Sequence, residues 1–408
     1  MSDLVAEIDD FNPEDLQDGL LKHVDNVHER YADWRARGGL LPGNPFTDET
    51  RTVNTAATGF TALSHAAVSQ VLSDSEHFST ALYADIMGVV MGRTMLQMDG
   101  TEHRAHRLLA TPAFRQKMLD HWRTELVEVV CDELISSFEG RGHAELVKEY
   151  TFAFPVQVIA RMIGLPRADY KRFQRLSIEL LNVVYDWDTG MVAAAALREY
   201  FKPILDARRR EPRDDLISAL AGAEIDGQQL TDEEIYSFLL LILPAGVETT
   251  YRSSGNLLVA LLTHPHYLEE VRGNEPALRT AIEEGLRWEP PITALVRTCA
   301  VDTEVAGVPI RAGDGVNVAI ASANRDEARF DNPAAFNPHR HGLSHLTFGY
   351  GPHMCLGMHL ARMESAVALG MLFDRIPDLR LDPDRDTPKI TGVAFRSPAA
   401  IPVRFTPS

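Results

Sequence analysis

The chain has 408 residues, 45% of them hydrophobic and 24% charged, with 58 acidic against 40 basic side chains and a formal net charge of -18. Such a composition belongs to a globular protein able to bury a large core, and the acidic balance argues against nucleic acid or an anionic membrane as a partner. Cys131, Cys299 and Cys355 are widely spaced, with no C-x-x-C and no paired framework, so neither a disulfide scaffold nor a structural zinc site is expected.

The opening stretch MSDLVAEIDDFNPEDLQDG is acidic and polar and lacks the basic start and apolar core of a secretory signal. The longest apolar run, Phe238 to Val247, is too short to cross a bilayer and contains Pro244. A soluble, cytoplasmic protein without membrane insertion is expected. Residues 16 to 37 read as an amphipathic helix ending at Arg37-Gly38-Gly39, followed by Pro42, Pro45 and a β-like passage around Thr52 to Thr58. Between Ser79 and Gln97 an apolar series that includes Leu82, Tyr83, Val90 and Met91 is interrupted by Gly88 and Gly92. It has no clean helical or strand period, and its plain reading is a core-packing loop.

From His103 to Met118 there is no carboxylate. His103 and Arg107 are four apart and share one helical face, so two donors there can clamp a carboxylate; the plain alternative is a solvated basic helix. The stretch from Met118 to Arg210 reads as four helices, broken at Gly164-Leu165-Pro166 and again near Asp186 to Gly190.

Thr231 and Glu234 form a capping box at the start of an apolar helix that runs to about Leu262. Within it, Pro244 and Gly246 cost roughly 3 and 1 kcal/mol relative to alanine, so the helix is broken locally for a reason. Glu248, Thr249 and Thr250 follow. Either the kink suits packing and the threonines back-bond to the preceding turn, or an acid and an alcohol are placed to handle protons. Glu284 and Arg287 lie one helical turn apart, a spacing that alone signals only a surface pair worth under about 1 kcal/mol. Ile292 to Cys299 is β-like and carries Arg297, and Ile390 to Phe405 reads as a terminal hairpin.

Residues 348 to 357 read Phe348, Gly349, Tyr350, Gly351, Pro352, His353, Met354, Cys355, Leu356, Gly357. Three glycines and a proline impose a tight loop, and the helical spacing of Met358 to Phe373 puts Cys355 where that loop feeds a helix. A thiolate there gains from the exposed N–H groups and positive dipole end of the helix and can serve as a metal ligand; a lone cysteine is otherwise a small buried hydrophobe. From His339 to Met363 there are two arginines, five histidines and no carboxylate, a cationic neighbourhood suited to an anionic, metal-bearing cofactor.

The pattern F-G-x-G-x-H-x-C-x-G resembles the haem-binding loop of the cytochrome P-450 family, the haem-thiolate monooxygenases, with all six specified positions present. The other family patterns follow in order over residues 40 to 405: H-x-x-x-R at His103 and Arg107, A-G-x-E-T-T from Ala245 to Thr250, and E-x-x-R at Glu284 and Arg287. Pro244, directly before the A-G-x-E-T-T string, departs from the usual pattern. The resemblance implies a mainly α fold with a smaller β part, a triangular single domain over residues 1 to 408 in which residues 1 to 40 are an N-terminal extension and first helix.

By the same resemblance the cofactor is haem b, with Cys355 on the iron, Phe348, Gly349 and Ala245 against the ring, and His103, Arg107, Arg297 and His353 on the propionates. Thr249 and Glu248 serve oxygen activation, and Glu284, Arg287 and Arg340 form a structural network holding the thiolate loop. The substrate pocket is expected to draw on Leu82, Tyr83, Val90, Met91, Leu241, Ile242, Thr293, Ala294, Leu295, Val393 and Ala394, beneath a lid at Phe173 to Asp188. The implied reaction inserts one oxygen atom of O2 into an apolar or amphipathic small molecule. No flavin or iron–sulfur pattern is present in the chain, so electrons from NAD(P)H are expected through a separate ferredoxin and reductase, docking on a cationic face of Arg104, Arg115, Lys117, His359 and Arg362. Two alternatives stand beside this: a peroxide-using or redox-neutral haem-thiolate enzyme, and a non-enzymatic haem gas sensor or carrier.

Overall fold

The computed structural model describes residues 24, 26–46, 59–181, 187–225, 227–342 and 344–407. The start of the expected first helix, the β-like passage at Thr52 to Thr58 and part of the expected lid lie outside the described residues. Most of the chain is helical, with a smaller β part. Five strands form one sheet in the order Leu40–Pro42, Phe60–Ala62, Gly315–Val318, Leu295–Cys299, Phe78–Ser79. Its one parallel pair joins Phe60–Ala62 to Gly315–Val318. A second sheet places Pro402–Arg404 between Arg380–Leu381 and His143–Glu145.

The central helical column begins as its sequence dictates. The Thr231 hydroxyl accepts the Glu234 N–H at 3.3 Å and the Glu234 carboxylate accepts the Thr231 N–H at 2.7 Å, a reciprocal cap worth about 1 kcal/mol. Asp232–Leu243 then buries Ile235, Leu239, Leu240, Ile242 and Leu243, the all-round apolarity of a core helix. Proline has no N–H to give the preceding turn. The chain absorbs this with a π-helical turn, Pro244–Glu248, before resuming α-helix at Thr249–Thr263. Gly246 faces the Ala153–Met162 helix so closely that a Cβ there would stand 2.7 Å from Ile159 Cδ1.

Behind this column the Glu275–Trp288 helix carries Glu284 and Arg287, both 0% exposed at their side chains. Arg287 donates Nε and Nη2 to the two carboxylate oxygens at 2.7 Å each, and Arg340 Nε lies 3.3 Å from Glu284 Oε2. The spare donors of Arg287 reach the carbonyls of Asn324, Pro333 and Ala335. Asn324 in turn accepts the Leu346 N–H at 2.8 Å and donates to Thr347 Oγ1 at 2.9 Å, so the network ends at the start of the cysteine loop.

Three expectations are corrected. The Ser79 to Gln97 stretch is not an irregular loop: Ala84–Gly88 is a π-helical turn running into helix at Val89–Met91, and the wider turn erases the 3.6-residue period. The Met118 to Arg210 region is not all helix, since His143–Glu145 is a strand whose partner lies at Pro402–Arg404. The C-terminal stretch is not one hairpin: Ile390–Thr391 pairs with Ser397–Pro398, and Pro402–Arg404 leaves for the other sheet.

Replacing Glu284 with glutamine removes the countercharge of a fully buried guanidinium. Glu284→Gln is expected to lower unfolding stability by about 3 kcal/mol, measured by denaturant titration, whereas a Glu→Gln change at exposed Glu327 is expected to shift it by under about 0.5 kcal/mol.

Candidate active site

The cysteine loop owes its path to two residues in the left-handed region, Gly349 at φ +73° and Gly351 at φ +76°. At Gly351 a Cβ would also meet Ser73 Cα at 2.7 Å and Leu72 O at 2.8 Å, backbone atoms that cannot move aside. Gly349 donates its N–H to Leu346 O and Cys355 to Phe348 O, each at 2.8 Å. These bonds present the Cys355 side chain just before the Met358–Arg375 helix.

Cys131 and Cys299 are buried, whereas Cys355 is exposed. Even so, the protein around Cys355 desolvates the sulfur and raises its pKa, against the lowering effect of the Gly357 N–H, Arg107 and Arg362. Its accessible surface therefore belongs to an interior recess. Burial outweighs the gain that the Gly357 N–H gives the thiolate at the helix start; a bonded metal ion deprotonates such a thiol outright.

Around it the four expected donors converge. The rings of His103 and His353 lie 4.0 Å apart. Burial lowers the pKa of both imidazoles, with Arg107 adding to the effect on His103, and His103 and Arg297 adding to that on His353, which falls to about 4. Asp99 opposes this from 3.4 Å. Arg107 Nη2 donates to Met354 O at 2.6 Å, tying the Gly100–Ala110 helix to the loop. Arg297 is buried, donates to Val296 O at 2.8 Å and lies beside Tyr83. Among the described residues no carboxylate forms an ion pair with Arg107 or Arg297. A buried cation such as Arg297 is costly without a countercharge, and a set rich in donors and short of acceptors fits a ligand bearing carboxylates beside a metal bound at Cys355.

The cationic stretch from His339 to Met363 is largely neutralised in space. Glu283 takes Arg362 at 2.6 and 2.8 Å and His345 at 3.2 Å, and these hydrogen bonds outweigh burial to hold its carboxyl at about 2. Glu284 takes Arg340, and Glu270 lies 2.8 Å from His339. Arg362 also stands 4.4 Å over the Phe348 ring, so it is no free charge of the docking face. Arg104, Arg115, Lys117 and His359 are exposed, with no ion pair among the described residues.

On the central column the Thr249 hydroxyl donates to Ala245 O at 2.7 Å, the back-bond that sequence allowed, and Ala245 is exposed. Glu248 is buried, with Oε1 accepting Arg252 Nε at 2.8 Å as well as Nη2. Arg252 was missed in the sequence, where its four-residue spacing from Glu248 was the available signal. Of the expected pocket residues, Leu82, Tyr83, Leu241, Ala294, Leu295 and Ala394 are half-buried. Val90 and Met91, 3% and 2% exposed, pack with Ile242 among Leu197, Leu239 and Leu240. Val393 packs with Val27 and Tyr31, and the Thr293 hydroxyl donates to Val393 O at 2.5 Å. These five are core, not lining: the helical turn aims Val89, 59% exposed, outward instead.

The family model described as Cytochrome P450 matches residues 178–396. Over 321 residues the chain is 35% identical to a putative cytochrome P450, YjiB, of Bacillus subtilis, covering 76% of this chain and 80% of the relative. It is 34% identical over 321 residues to a steroid C26-monooxygenase of Mycobacterium tuberculosis, covering 77% and 86%. The crystal structure of CYP109E1 from Bacillus megaterium in complex with testosterone superposes with a TM-score of 0.84 at 29% identity, covering 93% of this chain and 99% of that one. With its fold and relatives in agreement, the chain belongs to the cytochrome P450 family, as a monooxygenase with haem b for cofactor, O2 for co-substrate and NAD(P)H-derived electrons arriving through redox partners.

Proposed function

We propose that the chain works as one unit in the cytoplasm to hydroxylate, or similarly oxidise, an apolar or amphipathic small molecule: R–H + O2 + 2 electrons + 2 protons gives R–OH + H2O. The observation that carries this reading is the convergence of Cys355, in its interior recess, with buried Arg297 and half-buried Arg107, neither of which forms an ion pair among the described residues. Haem held by Cys355 supplies oxygen activation, thiolate ligation favouring O–O cleavage.

The chain itself binds, orients and moves protons. Arg107 and Arg297 meet the propionates as cations, and His103 and His353, kept neutral, meet them as N–H donors. Phe348, Gly349 and Ala245 would border the haem. Thr249, whose hydroxyl is parked on Ala245 O, accepts and passes protons in the groove, with Glu248 relaying them from solvent. Glu284, Arg287 and Arg340 hold the loop. Leu82, Tyr83, Leu241, Ala294, Leu295 and Ala394 offer an apolar wall. Two relatives, by name and by bound ligand, deal with steroids, and steroid-sized apolar molecules head the classes to screen by the spin-state shift that follows displacement of water.

The electron donor is read as an acidic ferredoxin reduced by its own reductase, docking on Arg104, Arg115, Lys117 and His359.

Reduced protein under carbon monoxide is expected to show the thiolate-type absorption band; Cys355→His is expected to replace it with the imidazole type, and an imidazole-type band in the wild-type protein would overturn the assignment. Thr249→Ala is expected to cut product formed per NAD(P)H by about tenfold while NAD(P)H oxidation continues and peroxide accumulates; unchanged product yield would remove Thr249 from the proton path. Charge reversal at Arg115 and Lys117 is expected to lower ferredoxin-supported turnover about fivefold at low ionic strength, with little effect in high salt. Reversal at Arg362 is expected to act at any salt, because it breaks the pair with Glu283.

A further inference from the structure

The acid of the π-helical turn is held by a residue that the reaction scheme above does not use. Glu248 gives Oε1 to Arg252, one turn further along the column, and its Oε2 has no hydrogen bond among the described residues. Arg252 is 1% exposed. Its guanidinium lies 4.9 Å from the Tyr251 ring centroid and 5.4 Å from that of Phe395, and Nη1 donates to Ser397 Oγ at 2.8 Å.

Phe395 and Ser397 both belong to the hairpin that pairs Ile390–Thr391 with Ser397–Pro398 and carries Ala394. The hairpin is stiffened from within: Arg396 donates to Glu289 at 2.6 Å and to the carbonyls of Gly392 and Ile390 at 2.7 and 3.2 Å. It is bound to the column as well, since Asn256 donates to Arg396 O at 3.1 Å and a Cβ on Gly255 would touch Pro398 at 3.3 Å. One end of Arg252 therefore grips the acid and the other grips a segment flanking the proposed pocket.

We propose that Arg252 is the positioning residue for Glu248 and that it makes the acid's freedom depend on the hairpin. With Ser397 and Phe395 holding the guanidinium, the carboxylate is drawn forward along the column while the Thr249 hydroxyl stays on Ala245 O. A substrate pressing on Ala394 and Phe395 shifts the hairpin and slackens the grip on Arg252, so that the Glu248 carboxylate leaves the guanidinium, takes up a proton from solvent water and turns to pass it to Thr249. Proton supply then opens only when the pocket is filled. The proposal rests on the monooxygenase reading, since only there does Glu248 have protons to relay from solvent.

The test uses holoenzyme with its donor proteins and four variants: Arg252→Gln, Arg252→Lys, Ser397→Ala and Glu248→Gln. Two measurements are made, the solvent deuterium isotope effect on NAD(P)H oxidation with and without substrate, and amide hydrogen exchange across residues 390–398. Arg252→Gln and Ser397→Ala are expected to raise that exchange about threefold, and to raise substrate-free NAD(P)H oxidation about threefold as the supply ceases to wait for substrate. Arg252→Lys, which keeps the charge, is expected to recover about half of the wild-type restraint. If Arg252→Gln fails to fold, Ser397→Ala decides, because it keeps the ion pair and cuts only the tie to the hairpin. Wild-type exchange and wild-type substrate-free oxidation in Ser397→Ala overturn the proposal. An isotope effect altered by Glu248→Gln but not by Arg252→Gln or Ser397→Ala sinks the gate alone; one untouched by Glu248→Gln sinks the proton role on which the gate rests.

Discussion

Two oppositely charged groups buried beyond the reach of water, Glu284 and Arg287, are the interaction on which the rest of the site is assembled. A pair of this kind adds little net stability, because taking both ions out of water costs about as much as their attraction returns. What it supplies is direction. Its hydrogen bonds are two-pronged, so the guanidinium plane is fixed, and every remaining donor on that plane is aimed at a particular carbonyl. Asn324 carries the direction on to Leu346 and Thr347, and from there the loop's own glycines take it to Cys355.

Positive charge in the site falls into two populations. Arg340, Arg362, His339 and His345 have carboxylates supplied by the helices that end at Val271 and Trp288. Arg107 and Arg297 have none among the described residues and lean on backbone carbonyls instead. The first group is complete as protein. The second makes chemical sense only as half of a contact, and it marks where an anionic ligand belongs more sharply than the number of basic residues does.

That distinction was invisible in the sequence, which shows a carboxylate-free stretch but not that Glu270, Glu283 and Glu284 lean across to it from far along the chain. Local features were legible: the reciprocal cap of Thr231 and Glu234, the loop glycines around Cys355, the i,i+4 pair of His103 and Arg107. Non-local ones were not. The three-residue strand His143–Glu145 has no pattern of its own and exists because Pro402–Arg404 comes to it. The π-helical turn at Ala84–Gly88 also defeated a reading built on 3.6 residues per turn, and without a period to orient Val90 and Met91 the resemblance alone gave them to the pocket, although they pack in the core. Arg252 offered one local signal, its four-residue spacing from Glu248, but its tie to Ser397, 145 positions away, left none.

The wide turn at Pro244–Glu248 amounts to one residue too many for an ordinary α-helix of the same length. Each residue of an α-helix advances the azimuth by about 100°, so everything after the turn is rotated by that amount relative to what precedes it. The column thus has two faces out of phase, one set by Asp232–Leu243 and one by Thr249–Thr263. A lineage that lost a single residue here would keep its helix and its hydrophobic core composition, yet point its alcohol and its acid at different neighbours. The register set by the wide turn therefore decides where Glu248 and Thr249 point, separately from which side chains they are.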